Sequence, residues 1–164
     1  MRRALPCALL LLLCSAAAAA ADLPHGALLV PGRSLAGLRL GEPAGEVRTA
    51  LGVRYGLCRS CRSTTWYFTY RPFTNQGLAV ELRRGRVSGV YTLWQPSGWT
   101  GPRGLRLGVA QERVTALAGP LIPIACAGYD ALTSDTPHVR TAYYVVDGRL
   151  WGFGLVPAHT SPCR

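Results

Sequence analysis

The segment Gly37–Gly52, GLRLGEPAGEVRTALG, returns as GLRLGVAQERVTALAG at Gly104–Gly119, 67 positions later in a chain of 164 residues. A phrase repeated in so short a chain implies a repeated piece of local structure. Each copy has a short apolar lead, a glycine and a brief helical pattern. In the first copy Pro43 suits the opening helical turn, and Glu46 sits where it favours the positive helix start. Val47, Ala50 and Leu51 fall at i, i+3 and i+4, and Gly52 ends the pattern. Val114, Leu117 and Ala118 repeat that spacing before Gly119. Helices this short do not persist alone in water, so each must be pinned against something else.

The segments that follow read as that something. TTWYFTY (64–70), GLAVEL (77–82) and RVSGVYTLW (86–94) come after the first phrase. CAGYDAL (126–132), VRTAYYVV (139–146) and RLWGFGLV (149–156) come after the second. Alternation such as Trp66, Phe68, Tyr70 against Thr65, Tyr67, Thr69 is the period-2 pattern of antiparallel strands. Asp147-Gly148 between two apolar runs is a strong hairpin signal, and it aligns with Arg84-Gly85 of the first half. The expected fold is therefore α+β: two tandem αβββ repeats with short helices packed on antiparallel sheet. The repeats are expected over 34–94 and 104–158, with a Pro/Gly-rich linker at 95–103, an N-terminal segment at 22–33 and a tail at 159–164.

Residues 1–21 fit a secretory signal peptide, with Arg2 and Arg3 before an apolar run and alanines offering an A-x-A cleavage site. The run is too short and alanine-rich for a membrane span. Leu13 before Cys14 spoils a lipoprotein cleavage site, so lipid anchoring at Cys14 is not expected. Cleavage after Ala21 leaves 16 arginines, no lysine and 8 acidic residues, a formal charge of +8. Such a field draws anionic partners, although a GC-rich coding sequence also yields arginine. Nucleic acid is not an expected partner outside the cell. The remaining cysteines, Cys58, Cys61, Cys126 and Cys163, are even in number, as secreted disulfide proteins require. Three connectivities are formally open; Cys58–Cys61 and Cys126–Cys163 are the expected pair.

The phrase itself resembles the leading motif of BamE/SmpA-OmlA-like envelope proteins, a glycine and a small residue followed by E-V-x-x-x-L-G. Gly41, Glu46, Val47, Leu51 and Gly52 match it, and Gly108, Val114 and Gly119-Pro120 match more loosely. Tandem copies are similar to β-lactamase inhibitory proteins and to uncharacterised secreted actinobacterial proteins. The resemblance implies paired helix-and-sheet units with a concave binding face. It carries over no functional residue.

Catalytic chemistry has little to stand on. No G-x-S-x-G, H-E-x-x-H or P-loop occurs, no acid-base pair stands out, and neither a metal site nor a cofactor is expected. His25, His138 and His159 fall near a terminus, at a loop end and in the tail. The aromatics are more telling, because alternation forces some outward: Tyr143 and Tyr144 must face opposite ways, as must Trp66 and Tyr67. With Tyr67, Arg83 and Tyr143 on the open sheet face, that surface would carry the residue types enriched at interfaces. The expected function is a secreted, non-catalytic interaction protein of the envelope or extracellular space, binding an anionic component or another protein. The alternative is a thiol-disulfide redox protein working through the C-x-x-C pair of Cys58 and Cys61.

Overall fold

The computed structural model describes residues 23–58, 60–70 and 75–164. The expected signal peptide and Cys14 lie outside them. A two-stranded ribbon, β1 (Leu29–Val30) and β2 (Ser34–Leu35), precedes helix α1 (Ala44–Leu51). Strands β3 (Gly56–Cys58), β4 (Thr64–Thr69), β5 (Gly77–Arg83) and β6 (Arg86–Leu93) follow. Then come a single 3-10 turn at Pro102–Gly104, helix α2 (Gln111–Ala118), β7 (Ile122–Cys126), β8 (Tyr129–Asp135), β9 (Val139–Val146) and β10 (Arg149–Pro157).

The expectation of two αβββ repeats with helices packed on their sheets is overturned. Strands β3 to β10 form one eight-stranded antiparallel sheet in the order β3-β4-β5-β6-β10-β9-β8-β7, and the two helices are eight residues each. The chain is mainly sheet. Beside the two-residue strands β1 and β2, two short strands of this sheet escaped the sequence reading. Gly56–Cys58 is only three residues long, and Ile122–Cys126 contains a proline, which strands tolerate at an edge. The run expected as one strand at 126–132 is broken by a turn at Ala127–Gly128, with Cys126 opposite Tyr129. The halves do not own separate sheets because β6 pairs with β10, setting Tyr91 opposite Gly154 and Val90 opposite Leu155.

The repeated phrase has a definite task. In the first half Gly41 N donates to Val87 O, Val87 N to Glu42 O and Ala44 N to Gly85 O, at 2.8, 2.8 and 2.9 Å. In the second, Gly108 N donates to Leu150 O, Leu150 N to Val109 O and Gln111 N to Gly148 O, at 2.7, 2.8 and 2.9 Å. Arg86 Nη1 donates to Gly41 O at 2.9 Å, and Arg149 Nη1 repeats this on Gly108 O at 3.0 Å. Each phrase thus clips the entry of its helix onto the hairpin that closes its half. Both hairpins turn through consecutive left-handed residues, Arg84-Gly85 (φ 53° and 72°) and Asp147-Gly148 (φ 49° and 69°), the geometry that suits strand twist.

One face of the sheet carries the core. Trp66, Phe68, Leu78, Val80, Leu82, Val90, Leu132, Tyr143, Val145, Phe153 and Leu155 are buried in a single cluster. It is closed by Val47 and Leu51 of α1, Val114 of α2, and Leu29, Leu35 and Leu38 of the N-terminal segment. Ala50 faces solvent instead. The segment expected as a linker contributes Trp99, only 1% exposed, and Thr100 exchanges backbone bonds with Leu29 and Ala27. It is part of the packing.

Both expected disulfides are present, Cys58–Cys61 and Cys126–Cys163. They sit at β3 and β7, the two edges of the sheet. Cys126–Cys163 closes a loop of 37 residues. Chain-entropy reasoning assigns such a crosslink roughly 4 kcal/mol, against about 2 kcal/mol for a tight loop. Urea titration should therefore show Cys126→Ser/Cys163→Ser losing roughly twice the stability lost by Cys58→Ser/Cys61→Ser; equal losses would contradict this assignment.

Candidate functional surface

The second face of the sheet is where the polar aromatics gather. By register it presents Tyr67 and Thr65 on β4, Ala79 and Glu81 on β5, Tyr91 on β6, Gly152 and Gly154 on β10, Tyr144 and Ala142 on β9, and Tyr129 and Ala131 on β8. Large rings therefore alternate with small residues, and the small ones give the rings room. A Cβ on Gly154 would lie 2.5 Å from the Tyr144 hydroxyl oxygen, so the Tyr144 ring occupies the space a side chain would need.

The C-terminal tail straps this face. Arg140 pairs with Asp135 through two bonds of 2.8 and 2.7 Å, and its Nη1 donates to Thr160 O at 3.1 Å. The Tyr144 hydroxyl donates to Pro162 O at 3.0 Å, and the Tyr129 hydroxyl to Arg164 O at 2.8 Å. Cys163 is fixed to Cys126. The Arg164 guanidinium then crosses to the other half, 3.2 Å from the Glu81 carboxylate and 5.8 Å from the centre of the Tyr91 ring. The face is thus covered over β8 to β10. Over β4 to β6 it retains partly exposed Tyr67, Glu81 and Tyr91.

The three residues singled out from sequence fare differently. Tyr67 lies on this second face, with its hydroxyl 3.6 Å from Cys61 Sγ. Arg83 shares the face by alternation with Glu81 and is exposed at the end of β5, opposite Arg86. Tyr143 is on the wrong side. It is 1% exposed and packs edge-on against Phe153 in the core, 6.1 Å between ring centres. Its neighbour Tyr144 is the one on the second face, and the tail buries it. Alternation along β9 showed that the two tyrosines point apart; which one met the core depended on the register with Phe153 and Leu132. Tyr91, Tyr129 and Arg164 gave no local signal, because only pairing across the four strands from β6 to β8, with the tail laid over them, gathers them.

The electrostatics are those of a structured polar layer. Burial, with Glu81 nearby, holds the Tyr91 phenol well above its ordinary value. Burial likewise raises Tyr144, and it pushes Tyr143 up to about 12. The Arg140 hydrogen bond lowers Asp135. Cys58 and Cys61 are joined in an exposed loop that runs from edge strand β3 into β4, and no helix begins there to stabilise a thiolate. Among the described residues no group of three or more histidines, cysteines or carboxylates could hold a metal ion, and no helix is long and apolar enough to cross a membrane.

No family model matches the chain, and no curated protein does. Its fold is similar to that of a DUF4309 family protein, YjgB, from Bacillus subtilis, with a TM-score of 0.53 at 16% identity over 74% of this chain and 82% of that one. An extracellular protein containing an SCP domain from Bacillus anthracis gives a TM-score of 0.48 at 11% identity. That match covers 71% of this chain, which spans 43% of the other. The first of these likenesses establishes shared fold alone.

The raised tyrosines fix an alkaline limit. Their folded values lie above the unfolded value of 10.0, so the stability they contribute is complete below that pH and is lost as pH rises through the folded values. For Tyr143 the window runs from 10.0 to about 12. Each tyrosine so held should steepen the fall by about 1.4 kcal/mol per pH unit. Phenolate absorbance and near-ultraviolet circular dichroism should therefore change together. Full tyrosine ionisation near pH 10 with the fold intact would refute the burial argument.

Proposed function

We propose that the protein is an extracytoplasmic, non-catalytic binding protein that holds an anionic partner at the open half of its second sheet face. The observation that carries this reading is the β5–β6 hairpin. Arg83 and Arg86 are cross-strand partners, Arg84 lies in the turn between them, and all three are exposed. Like charges placed directly opposite destabilise a strand pair. Only Arg86 is tied down, by its bond to Gly41 O, while Arg83 and Arg84 have no carboxylate partner among the described residues. An anion bridging the guanidinium groups removes that repulsion, and their planar forks suit carboxylate, sulfate or phosphate oxygens.

Tyr67 lies on the same face and adds a contact whose apolar ring and polar tip suit an interface. The formal charge of +8 that remains without the leader supports attraction to anions at longer range. The leader pattern and the two disulfides support an oxidising compartment outside the cytoplasm.

Dextran sulfate and unmodified dextran, immobilised in parallel, separate a charge-driven contact from a carbohydrate one. The protein should bind the sulfated polymer and release it as salt rises past the point where the Debye length shrinks below about 8 Å. Arg83→Ala/Arg84→Ala should weaken binding about tenfold or more, with Tyr67→Ala adding to the loss. Retention of full affinity by the triple variant, or equal binding to both polymers, would overturn the proposal.

A further inference from the structure

From the corner where β6 leaves the sheet we infer a second binding site, one for an acidic saccharide. It lies apart from the arginine hairpin and goes beyond the reading above. Trp94 directly follows β6 and is 55% exposed. Its ring meets Trp151 of β10 edge-on, 6.0 Å between centres, at the irregularity in β10 between Leu150 and Gly152. Exposed large aromatics are few in this chain: Trp94 is the one ring among the five exposed large hydrophobic residues described.

The backbone at this corner is held against its own preference. Trp94 and Gln95 are consecutive left-handed residues, φ 50° and 47°, and neither is glycine. Such a conformation persists only where the surroundings enforce it, and it concentrates at binding sites. Here the Gln95 side-chain amide donates to Leu150 O at 3.4 Å, helping to fix the turn that carries Trp94.

Gln95 also forms one wall of a hollow of about 460 Å³, completed by Ser97, Trp99, Thr100, Arg106 and their neighbours. This wall is preorganised. Trp99 Nε1 donates to the Tyr70 hydroxyl at 2.6 Å, that hydroxyl donates to Pro24 O at 2.8 Å, and His25 stacks on the Tyr70 ring 5.2 Å away. Trp99 is only 1% exposed, so this network fixes the wall from behind, and a wall already ordered loses less entropy when a ligand arrives.

The chemistry fits a sugar better than a peptide side chain or a lipid. Trp94 precedes Gln95 in the chain and stands outside the residues that line the hollow: its exposed indole suits the apolar C–H face of one pyranose unit, while the Gln95 amide and the Ser97 and Thr100 hydroxyls of the hollow suit the hydroxyls of the next unit. Arg106 is exposed, and among the described residues no carboxylate pairs with it. A guanidinium left open beside such a hollow selects a sugar that carries a carboxylate. The ligand class is therefore a uronic acid unit within a glycan.

Isothermal titration with tetragalacturonate, the neutral cellotetraose and a short polyglutamate tests this. Tetragalacturonate should bind, with cellotetraose at least about tenfold weaker. Trp94→Ala should abolish the tetragalacturonate signal, while Trp94→Phe keeps most of it and controls for folding. Arg106→Ala should bring the two saccharides to equal, weaker affinity. Every titration is made in the Arg83→Ala/Arg84→Ala background, which removes the hairpin's own attraction for carboxylates, so that the binding read belongs to this site. No heat with any saccharide, an unaffected Trp94→Ala variant, or polyglutamate binding as tightly as tetragalacturonate would overturn the assignment.

Discussion

The antiparallel pairing of β6 with β10 is the contact on which the rest of the molecule depends. It joins two four-stranded halves, each of which would otherwise present a further unpaired edge. Setting Val90 opposite Leu155 and Tyr91 opposite Gly154 also fixes which residues of both halves share a face. A slip of one residue at this seam would exchange every inward side chain for an outward one in one half relative to the other. The core cluster of Trp66, Phe68, Tyr143 and Phe153 and the tyrosine layer on the reverse are both consequences of that register.

An open sheet still leaves two outer edges, and the chain treats both covalently. At β3 the strand is three residues long and runs directly into the Cys58–Cys61 loop. At β7 the edge carries Pro123, and Cys126 binds the tail. Short edges, proline and covering segments are the recognised ways of preventing sheet-to-sheet association. The tail does more than guard an edge, because Arg164 reaches Glu81 and Tyr91 on the far side of the seam. A terminus that would fray if free becomes a strap holding the two halves in register from the side opposite the core.

Two parts of the surface lie outside this economy of structure. Arg83 sets a like charge opposite Arg86, the arginine that clips this hairpin to Gly41 O, and Trp94 with Gln95 holds an unfavourable backbone while exposing an indole. Neither feature contributes to the core, and each costs stability. They are far apart in kind: the hairpin offers charge alone, and the corner offers an exposed indole next in the chain to a hollow lined by Gln95, Ser97, Thr100 and Arg106.

Elements made of local contacts are specified by a few neighbouring residues. The two phrases, their terminating glycines, the left-handed hairpins at Arg84-Gly85 and Asp147-Gly148, and both disulfides were legible because spacing and backbone conformation are properties of a few adjacent residues. The joining of all eight strands into one sheet was not legible, because the pattern that makes a strand amphipathic says nothing about which strand lies beside it. That is why an arrangement of separate αβββ units was expected and one continuous sheet is found. The same reason governs the site: Tyr67 and Arg83 were placed by alternation, whereas Tyr143 and Tyr144 exchanged roles when cross-strand register chose the side facing the core. Only tertiary structure brings Arg164 onto Glu81 and Tyr91 of the β5–β6 hairpin, more than seventy positions away in the chain.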